Sequence, residues 1–197
     1  YMQERNGRVD GYLVELMRAI AARAGLRAEF QFLPLRHVTE GTAAGMLDAT
    51  LAVNPTPERA GALFFSQDTV DFTLSIFARK DVRDIKGVES LAGKTLATYP
   101  GYSWNARYAE YLPDIRLLMA DDIEAMFRMV ATGQADAAIS ETESGKVLLR
   151  RYLLTNVEPK GFAVFDGRRS RPGHYYGVSR RLPLLASILD KAFAQMP

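Results

Sequence analysis

Arg59 stands where local stability does not want a cation. The stretch Val53-Asn54-Pro55-Thr56-Pro57-Glu58-Arg59 ends an apolar run, offers Thr56 as a helix cap and sets Pro57 at the favoured first helical position. A cation in that first turn opposes the helix dipole by a few tenths to about 1 kcal/mol. A bound anion removes the conflict, because backbone N–H groups and a planar guanidinium together hold a carboxylate through paired charge-assisted hydrogen bonds. The other reading pairs Arg59 with a surface carboxylate. In Ile139-Ser140-Glu141 an acid follows an apolar run. Glu141 either receives an ammonium group or complements a helix start. In Tyr99-Pro100-Gly101-Tyr102-Ser103-Trp104, Gly101 permits a tight turn and Ser103 caps a helix or offers its hydroxyl to a ligand. Tyr102 and Trp104 pack on a ligand or into the core. A carboxylate receptor and an ammonium receptor on separate parts of the chain match the zwitterion of an α-amino acid.

These groups must be carried by helices and strands. Leu13, Leu16, Met17, Ile20 and Ala24 recur at helical spacing, so residues 11–25 read as an amphipathic helix stopped by Gly25. Ala28, Phe30 and Phe32 alternate with polar residues and predict a strand at 28–33. A polar helix then runs to Ala44, Gly45 ends it, and residues 48–53 form a strand. The second half repeats the order. Asp121 or Asp122 caps a helix carrying Ile123, Met126, Phe127 and Val130, Gly133 ends it, and residues 136–139 return as a strand. Gly45-x-x-Asp48-Ala49 and Gly133-x-x-Asp136-Ala137 thus share the spacing G-x-x-D-A, offset by 133 − 45 = 88 residues. Two similar α/β lobes with mainly parallel sheets are the economical reading, with ligands expected at the carboxyl ends of the strands.

Composition excludes several classes. The 197 residues, 48% hydrophobic and 24% charged, suit a soluble globular chain with a sizeable core. A net charge of +2, spread along the chain, argues against a nucleic-acid partner. The basic run Arg168, Arg169 and Arg171 beside Pro172 and Gly173 reads as a solvated loop. With no cysteine, disulfides and thiolate chemistry are absent. His37 and His174, the only histidines, lie too far apart in sequence to suggest a dyad or a metal site, and no cofactor is expected. No stretch reaches the roughly 20 apolar residues of a membrane span.

In this order, several short motifs resemble the amino-acid-binding solute-binding proteins of family 3, which have the type II periplasmic-binding (Venus flytrap) fold. They are Gly7-Arg-Val-Asp-Gly11-Tyr12, Gly45-x-x-Asp48, Thr56-Pro57-Glu58-Arg59, Phe65-Ser66, Leu91-Ala-Gly93-Lys94 and Gly133-x-x-Asp136-Ala137. The resemblance implies a cleft between lobes, with Arg59 on the ligand α-carboxylate and Glu141, where the family commonly has Asp, on the α-amino group. It implies that Ser103 helps bind the carboxylate and that backbone groups near Ala52 and Asn54, at positions where the family often has hydroxyl residues, complete the site. It also puts the family's opening strand and ligand-stacking aromatic upstream of Tyr1. The two crossovers fall at 72–79 and near 173–178, giving lobe one as 1–77 plus 175–197 and lobe two as 78–174.

The tail, from Leu154-Thr-Asn156-Val157 through Gly177-Val178-Ser179 to the run 182–192, resembles binding modules fused to membrane signalling proteins. The expected role is therefore a periplasmic sensor module of a histidine kinase or diguanylate cyclase. The alternative is a free binding protein that serves an ABC permease. A third reading is a dehydratase acting on cyclohexadienyl substrates, with Glu141 as the acid in the cleft.

Overall fold

The computed structural model describes residues 3–5, 8–102, 104–112, 114–165 and 173–196. Ser103 and the arginine run at 168–171 lie outside them. The chain divides into two compact units: Tyr1–Val70 with Gly173–Pro197, and Asp71–Pro172. The division falls earlier than the expected 77/78. Strand β6 (Leu74–Arg79) pairs with strands of the second unit along its whole length, so residues 74–77 go with that unit.

The first unit opens with a hairpin, β1 (Gln3–Arg5) and β2 (Arg8–Asp10), followed by α1 (Tyr12–Arg23). Leu13, Val14, Met17, Ile20 and Ala21 form the buried face of α1. The helix stops where Gly25 turns to φ +72°, with Leu26 N–H donating to Ala21 O at 2.8 Å. Next come α2 (Leu35–Ala44), β3 (Ala49–Val53), α3 (Pro57–Ala62), β4 (Leu63–Phe65) and β5 (Val70–Asp71). The chain returns as β11 (Gly173–Ser179) and α7 (Pro183–Phe193). The sheet order is β3-β11-β4, both pairs antiparallel, with β5 also on β11. Met17 and Ile20 meet Tyr176, Val178, Ala186 and Leu189 in the core.

The second unit has the sheet order β10-β6-β9-β7-β8, where β7 is Thr95–Thr98, β8 Arg116–Met119, β9 Ala137–Glu141 and β10 Val157–Phe162. Its helices are α4 (Asn105–Tyr111), α5 (Ile123–Thr132) and α6 (Thr142–Arg151). Strand β6 is buried on both faces. Leu74, Ile76 and Ala78 join one cluster with Leu91, Leu96, Trp104 and Phe165, and Phe77 joins the other with Met126, Phe127, Val130 and Leu149. That is the period-2 alternation of a central strand with both faces covered.

Two expectations change here. Neither sheet is mainly parallel: in the second unit β7 is parallel to β8 and β9 whereas β6 is antiparallel to β9 and β10, and in the first unit β11 is antiparallel to β3 and β4. Parallel neighbours need a crossover, and α4 and α5 supply one only around β7. Residues 28–33 form no strand despite their alternation; they lie in a coil with Phe32 50% exposed. Among the described residues no strand pairs with them, and alternation without a ladder partner does not make a strand.

The internal repeat is built as the spacing suggested, with an addition that the spacing does not carry. Gly45 (φ +79°) and Gly133 (φ +80°) both close a helix in the left-handed conformation. Each lies under an arginine: a Cβ at Gly45 would come within 2.9 Å of the Arg181 side chain, and one at Gly133 within 3.3 Å of Arg79. Arg79 Nη1 donates to Val130 O (3.1 Å) and Ala135 O (3.3 Å), putting a cation on the carbonyl end of α5.

Candidate functional site

In the first unit the candidates gather at the end of β3. Thr56 caps α3 by accepting from Arg59 N–H at 3.2 Å, and Pro57 takes the first helical position, as their residue types require. The Arg59 guanidinium folds back to donate from Nη1 to Asn54 O at 3.1 Å. Arg59 is half-buried, and the loss of water lowers its pKa, a shift that the charge of Glu58 opposes. A desolvated cation at the end of a strand is a strong receptor for an anion.

Ala52, immediately before this end, has φ +53°, a left-handed conformation uncommon for a residue with a Cβ. The ladder explains it: Tyr175 faces Val53 and Gly177 faces Thr50, so β3 takes three steps where β11 takes two. The extra residue forms a bulge that turns the backbone at Ala52, at a cost of about 1–2 kcal/mol. Strain of this kind concentrates at functional sites. Ala52→Gly is expected to stabilise the chain by up to about 1 kcal/mol in urea unfolding, the relief of the Cβ clash being partly offset by the freer unfolded chain.

In the second unit the candidates lie at the ends of β7 and β9. After β7 the chain turns through Gly101 (φ +80°), and Asn105 braces the turn. Its Oδ1 accepts from Thr98 Oγ1 and its Nδ2 donates to Tyr99 O at 3.0 Å. Tyr99 and Tyr102 stack with centroids 5.0 Å apart. Burial raises the pKa of both phenols, and the nearby charge of Glu141 raises each further. Glu141 is the last residue of β9, half-buried, with Oε2 accepting from Ser144 Oγ at 2.8 Å. Strands β7 and β9 run parallel with Ala97 opposite Ala138, so the turn that carries Tyr102 and the Glu141 end of β9 stand at one end of this sheet. Tyr99 belongs with them, and its place directly after a strand was the signal available for it in the sequence.

Trp104 is 4% exposed and stacks on Phe165 at 5.4 Å, with the Arg107 guanidinium 5.0 Å from its ring. It anchors the turn from inside the core. Asn105 escaped the sequence reading because bracing by a side-chain amide leaves no spacing signal.

Over residues 1–197 the sequence matches the family described as bacterial extracellular solute-binding proteins, family 3. It is 26% identical over 191 residues to the arginine-binding extracellular protein ArtP of Bacillus subtilis, covering 95% of this chain and 72% of ArtP. It is 27% identical over 143 residues to the probable amino-acid-binding protein YxeM of the same organism, covering 71% of this chain and 54% of YxeM. The chain therefore spans only about half the length of YxeM. Among solved structures, a histidine kinase sensor domain with similarity to periplasmic binding proteins superposes with a TM-score of 0.84 at 25% identity, over 97% of this chain and 82% of that one. An ancestral arginine-binding protein bound to arginine superposes with a TM-score of 0.84 at 20% identity, over 98% of this chain and 85% of that one, and shares the fold. The chain belongs to family 3 of the bacterial extracellular solute-binding proteins.

Proposed function

We propose that the chain is an extracytoplasmic amino-acid-binding domain whose two units close on a ligand held by Arg59 through its α-carboxylate and by Glu141 through its α-ammonium group. On this reading the backbone at Ala52 and Asn54 assists Arg59 in the first unit and the Tyr102 ring packs on the ligand beside Glu141 in the second, with Trp104 supporting the turn. The observation that carries this reading is the complementary chemistry at the strand ends: a half-buried guanidinium in one unit and a carboxylate beside stacked tyrosines in the other. A ligand that engages both units favours the closed state and shifts the population toward it by its difference in affinity. The function is binding rather than turnover, in keeping with relatives named as binding and sensor proteins.

The sensor reading, a module in front of a membrane-bound kinase or cyclase, draws support from the histidine kinase sensor domain. The carrier reading, delivery to an ABC permease, draws support from ArtP and YxeM. A full-length protein that continues into membrane spans and a catalytic signalling domain decides for the sensor; a binding protein encoded beside a permease decides for the carrier.

A thermal-shift screen against the standard L-amino acids, with L-arginine first because ArtP carries that name, tests the ligand class. A ligand at 100 times its Kd stabilises the chain by about 2.7 kcal/mol. No shift with any amino acid refutes the reading. Glu141→Gln is expected to weaken an amino acid by about tenfold or more while sparing its analogue without the α-amino group, as read by calorimetric titration.

A further inference from the structure

We propose that Thr142 positions Glu141 and ties it to the segment through which the chain enters the second unit. The proposal rests on the reading of Glu141 as the ammonium receptor. Glu141 is the last ladder residue of β9, paired with Leu74 of β6, and at Thr142 the chain leaves the sheet to begin α6. A knot of hydroxyls holds this departure point. Thr142 N–H donates to Thr73 O at 2.8 Å, and Thr142 Oγ1 donates to the same carbonyl at 3.1 Å. Thr73 Oγ1 donates to Thr142 Oγ1 at 3.0 Å, and Ser75 Oγ lies 2.7 Å from it.

The protons can be assigned by counting. A threonine hydroxyl has one proton and two lone pairs. With the Thr142 proton on Thr73 O, Ser75 must be the donor in its pair, and both Thr142 lone pairs are then occupied. The hub is saturated, and its inner members are shielded, Thr142 being 7% exposed and Ser75 2%, while Thr73 is exposed. The bond between Ser75 and Thr142 cannot be exchanged for water without parting β6 from β9, which lie inside the sheet, so it is stiff.

Its location gives the stiffness a use. The chain passes into this unit at Asp71, two residues before Thr73. The hub therefore joins the residue next to Glu141 to the first turn of chain after the crossover. A pull on Glu141 by a bound ammonium is passed to residues 71–75, and a change of backbone direction at the crossover moves the carboxylate. Thr142 is a positioning residue: it meets the ligand only through Glu141.

The test compares calorimetric titrations of the wild-type chain, Thr142→Val, Thr142→Ser and Glu141→Gln with L-arginine and with its analogue lacking the α-amino group. Valine keeps the shape and removes the hydroxyl, and the backbone bond from residue 142 to Thr73 O survives. Thr142→Val is expected to lower the affinity for L-arginine by about tenfold and leave that for the analogue unchanged, while Thr142→Ser restores the wild-type ratio. A purely structural role leaves the ratio of the two affinities untouched. A folded Thr142→Val with the wild-type ratio overturns the proposal. Should that variant fail to fold, Ser75→Ala removes one donor to the hub and is expected to shift the ratio in the same direction; a wild-type ratio there overturns it as well. Glu141→Gln separates the two claims: if its ratio is also that of the wild type, the assignment of Glu141 is what fails. If the wild-type chain binds neither L-arginine nor any other standard L-amino acid, the amino-acid reading fails and the coupling with it.

Discussion

If Arg59 holds the ligand carboxylate as proposed, Arg59→Ala is expected to weaken amino-acid binding by about 10- to 150-fold in calorimetric titration, the loss of one charge-assisted pair worth about 1.5–3 kcal/mol. The size follows from the setting of the side chain. Arg59 is already half-desolvated and tethered to Asn54 O, so little ordering remains to be done when a carboxylate arrives. Arg59→Lys keeps the charge and loses the planar fork, so its affinity is expected to fall between those of the wild type and the alanine variant. The loss applies equally to the amino acid and to its analogue without the amine, because both keep the carboxylate. Near-normal binding by Arg59→Ala would remove the carboxylate role from this residue.

Phe77→Ala is expected to cost about 3–5 kcal/mol of stability in urea unfolding, because of the space its ring fills. Phe77 is fully buried in the centre of the second unit, with its ring edge-on to Phe127 at 5.3 Å. On its other side α6 comes so close that a Cβ at Gly145 would lie 2.3, 2.7 and 3.0 Å from three ring carbons. Alanine is the better helix former by about 1 kcal/mol, but overpacking against a ring that cannot retreat costs about 1–3 kcal/mol or more. Gly145→Ala is therefore expected to destabilise by a net 1–2 kcal/mol or so, by the same reasoning at its upper range. The double variant costs less than the sum of the two, since the alanine methyl enters the space left by the ring. Additive urea-unfolding energies would show that the helix and strand are not in this contact. The approach matters to the site, because α6 begins at Thr142, beside Glu141.

Much of the local structure was legible in the sequence, because it depends on near neighbours. Thr56 and Pro57 begin α3, Asp122 caps α5 by accepting from Ala125 N–H at 2.8 Å, and Gly25, Gly45 and Gly133 stop helices at positive φ. Each of these effects acts within about one helical turn, so residue type and spacing suffice. The candidate residues Arg59 and Glu141 were found for the same reason: a charged group next to the end of an apolar run needs no knowledge of distant partners.

What the tertiary structure decided depends on residues far apart in the chain. Residues 28–33 alternate like a strand and form none, because a ladder requires a partner. The polarity of β6 and the bulge at Ala52 are set by the strands beside them, and no local preference would put alanine at φ +53°. Trp104 went into the core because Phe165 is there to receive it, and Arg79 and Arg181 crossed to the helix ends at Gly133 and Gly45. Thr142 meets Thr73 and Ser75 across 69 and 67 residues of sequence. The sequence by itself determined where helices begin and end and which charged groups stand at strand ends; the tertiary structure decided which strands pair, which backbone is strained and what holds each group in place, because those depend on contacts that only the folded chain brings together.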